Sequence, residues 1–373
     1  MEDNNTSTPE DNPEGQAENN DSQKNENAGT TDPSLENSPP LVPAAEQPVE
    51  SSIFESRLNM GLVNEKVLAA KQEIANFIVG QHELVDLLLI SLFSNGHVLL
   101  EGVPGIAKTL TAKVLSKTLN VDFSRIQFTP DLMPSDVIGT SIFNMKNSEF
   151  EFKSGPIFSN IVLIDEINRS PAKTQAALFE VMEERQITYD GKVYKMSFPF
   201  LVLATQNPVE QEGTYNLPEA QLDRFLFKIK ITYPSQTDEF EILKRFKNRN
   251  NAPSLDHVNP IFDVKSLQDI QNIIEQVKIE DQLLNYISLI TEKTRNHAKI
   301  YLGGSPRASL SMLKGSKAFA AIRGRDFVIP DDIQYVCPHV LNHRMILTPE
   351  AEMEGLSVED VIMEILQEVE VPR

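Results

Sequence analysis

The chain has 373 residues, a formal net charge of −20 and 40% hydrophobic residues, enough to build one large domain or two ordinary ones. Its single cysteine, Cys337, excludes an intramolecular disulfide framework and is typical of a reducing compartment, so we expect a cytoplasmic protein. The start shows no signal-peptide pattern, and the densest apolar run, 87–93, is too short to cross a bilayer, which predicts no membrane insertion. The acidic balance argues against a nucleic-acid partner, because phosphate binding depends on clustered lysine and arginine.

The first part of the chain differs from the rest in composition. Residues 1–50 contain 12 Asp and Glu against one Lys, so they carry about −11 of the total charge. Such a segment cannot bury enough apolar surface to offset the entropy that ordering would cost. We therefore predict a disordered acidic tail over residues 1–52 that acts as a solubilising extension.

The next part alternates predicted helices with short apolar strands. Apolar residues three and four apart predict a helix from about residue 64 to Gly80 and a second helix at about 82–94. The run 97–102 predicts a strand that enters a glycine-rich loop, and a helix follows at about 107–119. Further buried strands are predicted at 124–129, 160–166, 199–207 and 225–231. Apolar strands alternating with helices indicate an α/β fold with a five-stranded parallel sheet between two helical layers.

Two stretches interrupt this alternation and are predicted to be hairpins. Residues 141–155 alternate charged and aromatic side chains beyond a turn at Lys146 and Asn147. Residues 186–196 contain an Asp-Gly pair at 190–191, which suits a type I′ turn. From the residues alone, each hairpin is a structural cover for an edge of the fold.

The last part of the chain is predicted to be helical throughout. Helical periodicity follows Pro234 at about 236–249, 265–276, 280–298, 306–323, 330–341 and 358–368. We therefore predict a domain boundary near 233–236. It separates an α/β core at 53–234 from an all-helical second domain at 235–373.

The stretch EGVPGIAKTL at 101–110 nearly matches the phosphate-binding pattern G-x-x-x-x-G-K-[ST]. Gly102, Lys108 and Thr109 are in place, whereas Ala107 occupies the position of the last glycine. In such a loop, backbone N–H groups hold the phosphates, the lysine reaches the β- and γ-phosphates, and the hydroxyl binds Mg²⁺. We expect Ala107 to be right-handed helical, a conformation that alanine adopts easily, so that the substitution is tolerated.

An acidic pair and an amide follow at the ends of two later strands. Asp165 and Glu166 end a buried strand 57 residues after Lys108, where an open α/β sheet binds its ligand. Asp165 would hold Mg²⁺, and Glu166 would polarise a water molecule for attack on the γ-phosphate. Asn207, 42 residues after Asp165, ends the next strand and could orient that water.

Five stretches together carry a specific resemblance. GVPGIAKT, LIDEINRSPAKTQAALFEVMEE, LATQNP, LPEAQLDRF and GGSPRA resemble an AAA+ ATPase of the MoxR family, over roughly residues 60 to 370. Alanine before the loop lysine is common in that family, so Ala107 resembles a family feature. The resemblance implies an AAA+ P-loop domain with a helical lid domain, and ATP and Mg²⁺ as ligands.

The resemblance also implies a role for each residue. Lys108 and Thr109 would form Walker A, with Thr109 and Asp165 as metal ligands, and Glu166 would complete Walker B. Asn207 would be sensor 1, Arg224 the arginine finger that reaches the neighbouring subunit, and Arg307 the sensor 2 on the lid. The implied nucleotide contacts are Val79, Gly80, Gln81, Gly102, Val103, Pro104, Gly105, Ile106, Ala107, Lys108, Thr109, Leu110 and Arg307.

The residues themselves leave alternatives for both arginines. Charge that develops on the γ-phosphoryl oxygens needs cationic donors. An ordinary salt bridge would also explain Arg224, and a solvated first helical turn would explain Arg307.

The stretch CPHVLNH offers Cys337, His339 and His343, but its spacing matches no zinc signature, so we expect an inward-facing cysteine with surface histidines.

The leading functional hypothesis is a ring-forming ATPase, hexameric as is usual in the family, that remodels or activates protein clients. The resemblance suggests clients or adaptors with von Willebrand factor A domains, often metal-dependent, and hairpins that face the pore of the ring. One alternative is a magnesium-chelatase-like motor subunit, and another is a nucleotide-gated scaffold without turnover. Hairpin lysines keep a nucleic-acid motor open, namely Lys146, Lys153, Lys192 and Lys195.

Overall fold

In the computed structural model, the described residues are 51–103, 105–208, 215, 217–248 and 255–372, with backbone alone at 51–59 and 248. The predicted acidic tail lies outside them, except for Ser51 and Ser52, which begin the first helix. The strands of the described residues are β1 His97–Glu101, β2 Phe123–Gln127, β3 Gly139–Asn144, β4 Glu149–Ser154, β5 Ile161–Asp165, β6 Gln186–Tyr189, β7 Lys192–Lys195, β8 Leu201–Gln206, β9 Phe225–Lys230, β10 Ile300–Leu302 and β11 Ile346–Leu347. The α-helices are α1 Ser51–Ala75, α2 His82–Phe93, α3 Lys108–Thr118, α4 Pro134–Ile138, α5 Ala172–Glu184, α6 Glu219–Leu222, α7 Gln236–Asn248, α8 Val264–Glu275, α9 Asp281–Asn296, α10 Pro306–Ile322, α11 Pro330–Leu341, α12 Pro349–Met353 and α13 Val358–Glu368.

Five strands form one parallel sheet in the order β2-β5-β8-β1-β9. All five therefore begin at one end of the sheet, called here the amino end, and finish at the opposite one, called the carboxyl end. The predicted five-stranded parallel sheet is confirmed, and the predicted strands lie at nearly the positions expected from the apolar runs. The non-sequential order puts β1 and β8 beside each other, which brings the glycine-rich loop close to the end of β8.

The sheet is buried on both faces, as its continuous apolar strands predict. In β5, Ile161 and Leu163 pack into one hydrophobic cluster, whereas Val162 and Ile164 pack into a second. The first cluster includes residues of α1, α2, α3 and the later helices, and the second includes residues of α5. This alternation produces the predicted three-layer arrangement.

The two interrupting hairpins pack against each other through aromatic side chains. β3 pairs with β4, and β6 pairs with β7, both antiparallel. The ring centroid of Phe152 lies 5.0 Å from that of Tyr189 and 4.4 Å from that of Tyr194. Asp190 and Gly191 have φ values of 50° and 71°, as a type I′ turn requires. The hairpins thus form one unit, called here the hairpin pair.

The region after β9 is helical, with one small sheet that the sequence analysis did not predict. β10, between α9 and α10, pairs antiparallel with β11, which lies between α11 and α12. Segments of three and two residues are too short to show a strand period, so periodicity cannot identify them. No helix among the described residues combines the length and apolar character that spanning a membrane would require.

Candidate nucleotide site

The glycine-rich loop joins the carboxyl end of β1 to α3. Its first glycine, Gly102, donates its N–H to the Gln206 carbonyl at 3.3 Å, and an added Cβ there would lie 2.9 Å from the Ile231 carbonyl oxygen. Lys108 begins α3, and its Nζ donates to the Gly102 carbonyl at 2.8 Å. The close approach explains why this position needs glycine. It also shows that the lysine folds over the loop rather than into solvent.

Lys108 also lies in the field of the acidic pair. Burial lowers the pKa of the Lys108 ammonium group, and the negative charges of Asp165 and Glu166 partly oppose that shift. The structure therefore brings together the lysine and the two carboxylates, which the sequence separates by more than fifty residues. A cation beside two anions in a partly buried site can bind a phosphate together with a metal ion.

Ala107 differs from the expectation. Its φ of 62° and ψ of 18° are left-handed, not right-handed helical as predicted. The residue turns the chain from the loop into α3, and this turn requires a positive φ. A left-handed conformation costs an L-residue roughly 1–2 kcal/mol, whereas glycine escapes that cost. The usual glycine at this position thus serves the backbone conformation, and alanine occupies it under strain.

Asp165 is the last residue of β5, and both of its carboxylate oxygens have partners. Thr205 Oγ1 donates to Oδ1 at 3.2 Å, and Arg125 Nε donates to Oδ2 at 2.5 Å. Arg125 lies on the neighbouring strand β2, directly opposite Leu163 in the register. These contacts hold Asp165, a residue that is only 8% exposed, at the carboxyl end of the sheet.

Glu166 follows in a left-handed conformation, with φ 57° and ψ 53°. Its N–H donates to Thr205 Oγ1 at 3.0 Å, and its Oε2 accepts a hydrogen bond from Gln127 Nε2 at 2.7 Å. Arg169 Nε lies 3.1 Å from the same Oε2. Positive φ in a non-glycine residue is strain of the kind that clusters at functional sites. Thr205 holds the strained turn, and Gln127 and Arg169 fix the direction of the carboxylate.

Asn207 and Thr109 complete the group at the carboxyl end. Asn207 is 6% exposed and directly follows β8, the strand that lies between β5 and β1. Thr109 is half-buried in the first turn of α3. The predicted metal ligands and the predicted water-orienting amide therefore share one end of the sheet. Pro104, a predicted loop contact, lies outside the described residues.

A cavity of about 540 Å³ adjoins the loop, within the size range of small-molecule sites. Most of its walls are apolar, and several predicted contacts line it, namely Val79, Gln81, Gly105, Ile106, Ala107 and Leu110. Gly80 is not in the lining; it packs under α7, where an added Cβ would lie 2.4 Å from Asp238 Cγ. The sequence analysis did not identify the opposite wall, which Tyr233, Ile242, Arg245 and Phe246 supply.

Gln81 gives this cavity a polar group. Its Nε2 donates to the Ile106 carbonyl at 3.1 Å, which fixes the amide plane. Its Oε1 is buried and has no hydrogen-bond partner among the described residues. A buried acceptor without a donor costs about 1–3 kcal/mol, so a ligand donor would be favoured there. An apolar cavity with one orphan acceptor fits adenine, whose exocyclic amine can donate.

Arg224 and Arg307 lie at the amino end of the sheet, on the other side from the loop. Arg224 precedes β9, and its Nη1 donates to the Phe179 carbonyl at 2.5 Å. Glu183 joins the two arginines: Arg307 Nη2 lies 2.5 Å from its Oε1, and Arg224 Nε lies 3.6 Å from its Oε2. The Nε of Arg224 is buried without a hydrogen-bond partner in the described part of the chain.

The sequence analysis listed Arg307 with the loop residues as a nucleotide contact, and the positions of the two arginines correct that grouping. Both arginines line a separate depression of about 310 Å³, together with the first residue of β1, His97, and with Lys314 of α10. The sheet stands between this depression and the glycine-rich loop of the same subunit. Within one subunit, neither arginine is brought to the predicted nucleotide contacts.

The expectation of surface histidines near Cys337 is wrong. Cys337 is buried, as expected, and burial raises the pKa of its thiol to about 12. His343 is also buried, with Nε2 3.1 Å from the Phe225 carbonyl, and His339 Nε2 lies 3.2 Å from Glu83 Oε1. α11 packs against β9, and its His339 reaches Glu83 of α2, so side chains that look solvent-facing from spacing have partners on both sides. The three residues therefore have separate structural roles.

Sequence reasoning missed Arg125, Gln127 and Glu183. The stretch SRIQF carried a signal for the first two, because Arg125 and Gln127 flank the buried Ile126 and so share one face of β2. Glu183 had no distinctive signal, since it belongs to an acidic pair at the end of a helix.

Comparison with known protein families agrees with this architecture. The family described as "ATPase family associated with various cellular activities (AAA)" matches residues 97–227. The family described as "AAA lid domain" matches residues 292–365. The first match spans β1 to the start of β9, and the second spans the chain from the last part of α9 into α13.

Individual relatives are similar over most of their length. The chaperone MoxR1 of Mycobacterium tuberculosis is 45% identical over 310 residues, which are 81% of this chain and 81% of that protein. The uncharacterized protein YeaC of Bacillus subtilis is 48% identical over 303 residues, 81% of this chain and 94% of that protein. A crystal structure of a proposed ATPase from Cytophaga hutchinsonii superposes with a TM-score of 0.80 at 44% identity, covering 86% of this chain and 99% of that one.

Proposed function

Because this chain belongs to the MoxR family of AAA+ ATPases, we propose that it hydrolyses ATP as part of a ring of subunits and uses the energy to remodel or activate protein clients.

 The ring we propose contains identical subunits only, six by family precedent. The observation that carries the proposal is the division of the site: nucleotide-binding groups lie at the carboxyl end of the sheet and two arginines at the amino end.

At the carboxyl end, each residue has a defined task. Lys108 and the loop N–H groups would bind the phosphates, and Gln81 would accept a hydrogen bond from adenine in the apolar cavity. Glu166, whose direction Gln127 and Arg169 fix, would take the proton of the attacking water, and Asn207 would orient that water.

The same end has oxygen donors that fit Mg²⁺. The Thr109 hydroxyl and the Asp165 carboxylate are the hard ligands that this ion prefers. When bound, Mg²⁺ supplies charge neutralisation on the phosphate oxygens. The boundary between this core and the lid would fall near 233–236, after β9.

At the amino end, the arginines would serve the neighbouring subunit. In a ring of identical subunits, one face of each subunit meets the opposite face of the next. The amino end of one sheet would then approach the carboxyl end of its neighbour. Arg224 and Arg307 would stabilise the charge on that neighbour's γ-phosphoryl group, so hydrolysis would require assembly.

The hairpin pair offers a surface for a client. Phe143, Met145 and Phe150 near its tip are 48%, 87% and 72% exposed, an unusual concentration of exposed large apolar side chains. We propose that this tip faces the pore and contacts client segments. The clients or adaptors would carry von Willebrand factor A domains. The single cysteine favours a cytoplasmic location.

An ATP-dependent pull-down with Glu166→Gln tests the function, with Lys108→Ala as the matched control. The first variant should bind ATP without hydrolysing it and capture a metal-site or von Willebrand factor A protein, and the second should capture nothing. Capture of nucleic acid, or capture independent of nucleotide, would contradict the remodelling role. Wild-type turnover no higher than that of Lys108→Ala would instead favour a scaffold without hydrolysis.

A further inference from the structure

One buried arginine of the lid contacts the strand that follows the predicted arginine finger. Arg344 lies between α11 and β11, within the residues that match the lid family, and it is 7% exposed. Its Nε donates to Asp223 Oδ1 at 2.6 Å, and its other N–H groups donate to four carbonyls and one hydroxyl. Those acceptors are the carbonyls of Asp223, Phe225, Leu226 and Val340 and the Oγ of Ser311. All of the donors of the guanidinium fork are therefore in use.

The contacts of Arg344 bracket Arg224. Arg344 Nη2 donates to the carbonyl before Arg224, that of Asp223, at 3.0 Å, and to the carbonyl after it, that of Phe225, at 2.6 Å. The Arg224 side chain itself contacts only α5 in these pairs, through the Phe179 carbonyl and Glu183, whereas Arg344 holds the backbone on either side of it. The position of the predicted finger thus depends on a residue more than one hundred positions away in the chain.

The same network reaches Arg307. Asp223 accepts Arg344 through Oδ1, and its Oδ2 accepts a hydrogen bond from Ser305 Oγ at 2.9 Å. Ser305 is the N-cap residue of α10, and Arg307 lies in the first turn of that helix. One carboxylate therefore links the backbone around Arg224 to the helix that carries Arg307.

We infer that Arg344 and Asp223 are positioning residues that set the two arginines as a unit for the neighbouring subunit. This inference rests on the proposed function of Arg224 in hydrolysis by that neighbour. Arginine suits the task because its planar fork holds several acceptors in fixed directions, which the single ammonium group of lysine cannot do. Lid placement would then control catalysis in the next subunit rather than in its own.

Mixing two variants in one ring distinguishes this positioning role from a merely structural role of the Arg344–Asp223 salt bridge. Arg344→Met should keep its own nucleotide site intact, so ATP affinity should stay within about twofold while kcat falls by roughly tenfold or more. Lys108→Ala lacks a working nucleotide site but keeps its arginines. Random mixing of the two should place an intact site beside intact arginines at about one interface in four, and restore up to that share of wild-type hydrolysis.

Two controls make the result decisive. A mixture of Arg224→Ala with Lys108→Ala must also recover hydrolysis. If this mixture does not recover it, that result is sufficient to contradict the proposed function. Arg325→Met breaks another Arg–Asp pair of the lid, to Asp332, with Nη2 to Oδ1 at 2.5 Å, and should leave hydrolysis within about twofold.

Recovery in the control pair without recovery for Arg344→Met would overturn the inference, as would full activity of Arg344→Met alone. If Arg344→Met does not fold, Asp223→Asn takes its place, because the amide keeps the shape of the carboxylate and loses its charge. The same split between ATP affinity and kcat, with the same recovery on mixing, is expected from it. Unchanged kcat, or loss that mixing does not restore, would overturn the inference there too.

Discussion

The two ends of the parallel sheet differ in how the chain builds them. At the carboxyl end, Asp165 ends β5, Asn207 directly follows β8, and Lys108 begins the helix after the loop that leaves β1. The parallel sheet brings these strand ends together. At the amino end, α5, the start of β9, α10 and the segment after α11 each supply one part of the arginine network. The comparison teaches that local motifs encode nucleotide binding, whereas the groups proposed to act on a neighbour depend on the packing of the lid against the core.

The largest expected effect separates binding from hydrolysis. Arg224→Ala should lower kcat by about 10³-fold, the lower end of what an arginine finger contributes, because the neighbour's transition state loses its cation. Its ATP affinity should remain that of the wild type, because the variant leaves its own carboxyl end intact. Fluorescent-nucleotide binding and steady-state hydrolysis measure the two quantities, with Lys108→Ala as the control that loses binding. Retained turnover would remove Arg224 from the mechanism.

A smaller effect on hydrolysis is expected for Arg307, the arginine in the first turn of α10. Arg307→Ala removes a charged hydrogen-bond donor, so kcat should fall by roughly tenfold to a hundredfold. ATP affinity should change by less than about twofold, since the structure keeps Arg307 away from the loop of its own subunit. Equilibrium binding measured beside hydrolysis checks this. A large loss of affinity with unchanged kcat would mean that Arg307 reaches its own nucleotide, and the two ends would not be separate.

The amino end also contains two buried histidines that should make it acid-sensitive. Burial lowers the pKa of His97 to about 3, with a further contribution from the Arg185 charge, and burial lowers the pKa of His343 well below its usual value. The unfolded chain takes up these protons near pH 6.5 and the folded chain does not, so stability is lost as the pH falls below 6.5.

This loss should be about 1 kcal/mol for each histidine between pH 7.5 and 5.5. Urea unfolding at the two pH values measures it, and His343→Asn should reduce the pH dependence by about half. Stability that stays constant or rises on acidification would contradict the expected sign.

The smallest effect concerns the loop at the carboxyl end. Ala107→Gly should raise the free energy of unfolding by up to about 1 kcal/mol, because glycine relieves the left-handed strain. Lys113→Gly, in the middle of α3, should lower the free energy of unfolding by about 1 kcal/mol. Glycine relieves no strain at a right-handed helical position and only adds conformational freedom to the unfolded chain. Chemical denaturation of both variants checks the opposite signs. Destabilisation by Ala107→Gly would mean that the loop gains nothing from the conformational freedom of glycine.

The sequence predicted most of the fold, because apolar strands and helical periodicity are local properties. It also indicated the residues at the carboxyl end, since strand-end motifs in a parallel sheet must converge. It could not indicate Arg344, which has no motif and acts through contacts with residues about 120 positions earlier. The prediction of a right-handed Ala107 was wrong for a related reason: the positive φ follows from the path of the whole loop, not from the conformational preference of alanine.

The edge strand β9 shows how the lid also protects the core. No further strand among the described residues pairs with its open side; instead, Asn342 donates to the Lys228 carbonyl and Arg344 to the Leu226 carbonyl. Uncovered strand edges pair with other chains and promote aggregation. A core cut from its lid would expose this edge, so the ATPase domain should be insoluble when produced alone, and the lid should behave as an intramolecular chaperone for its own core.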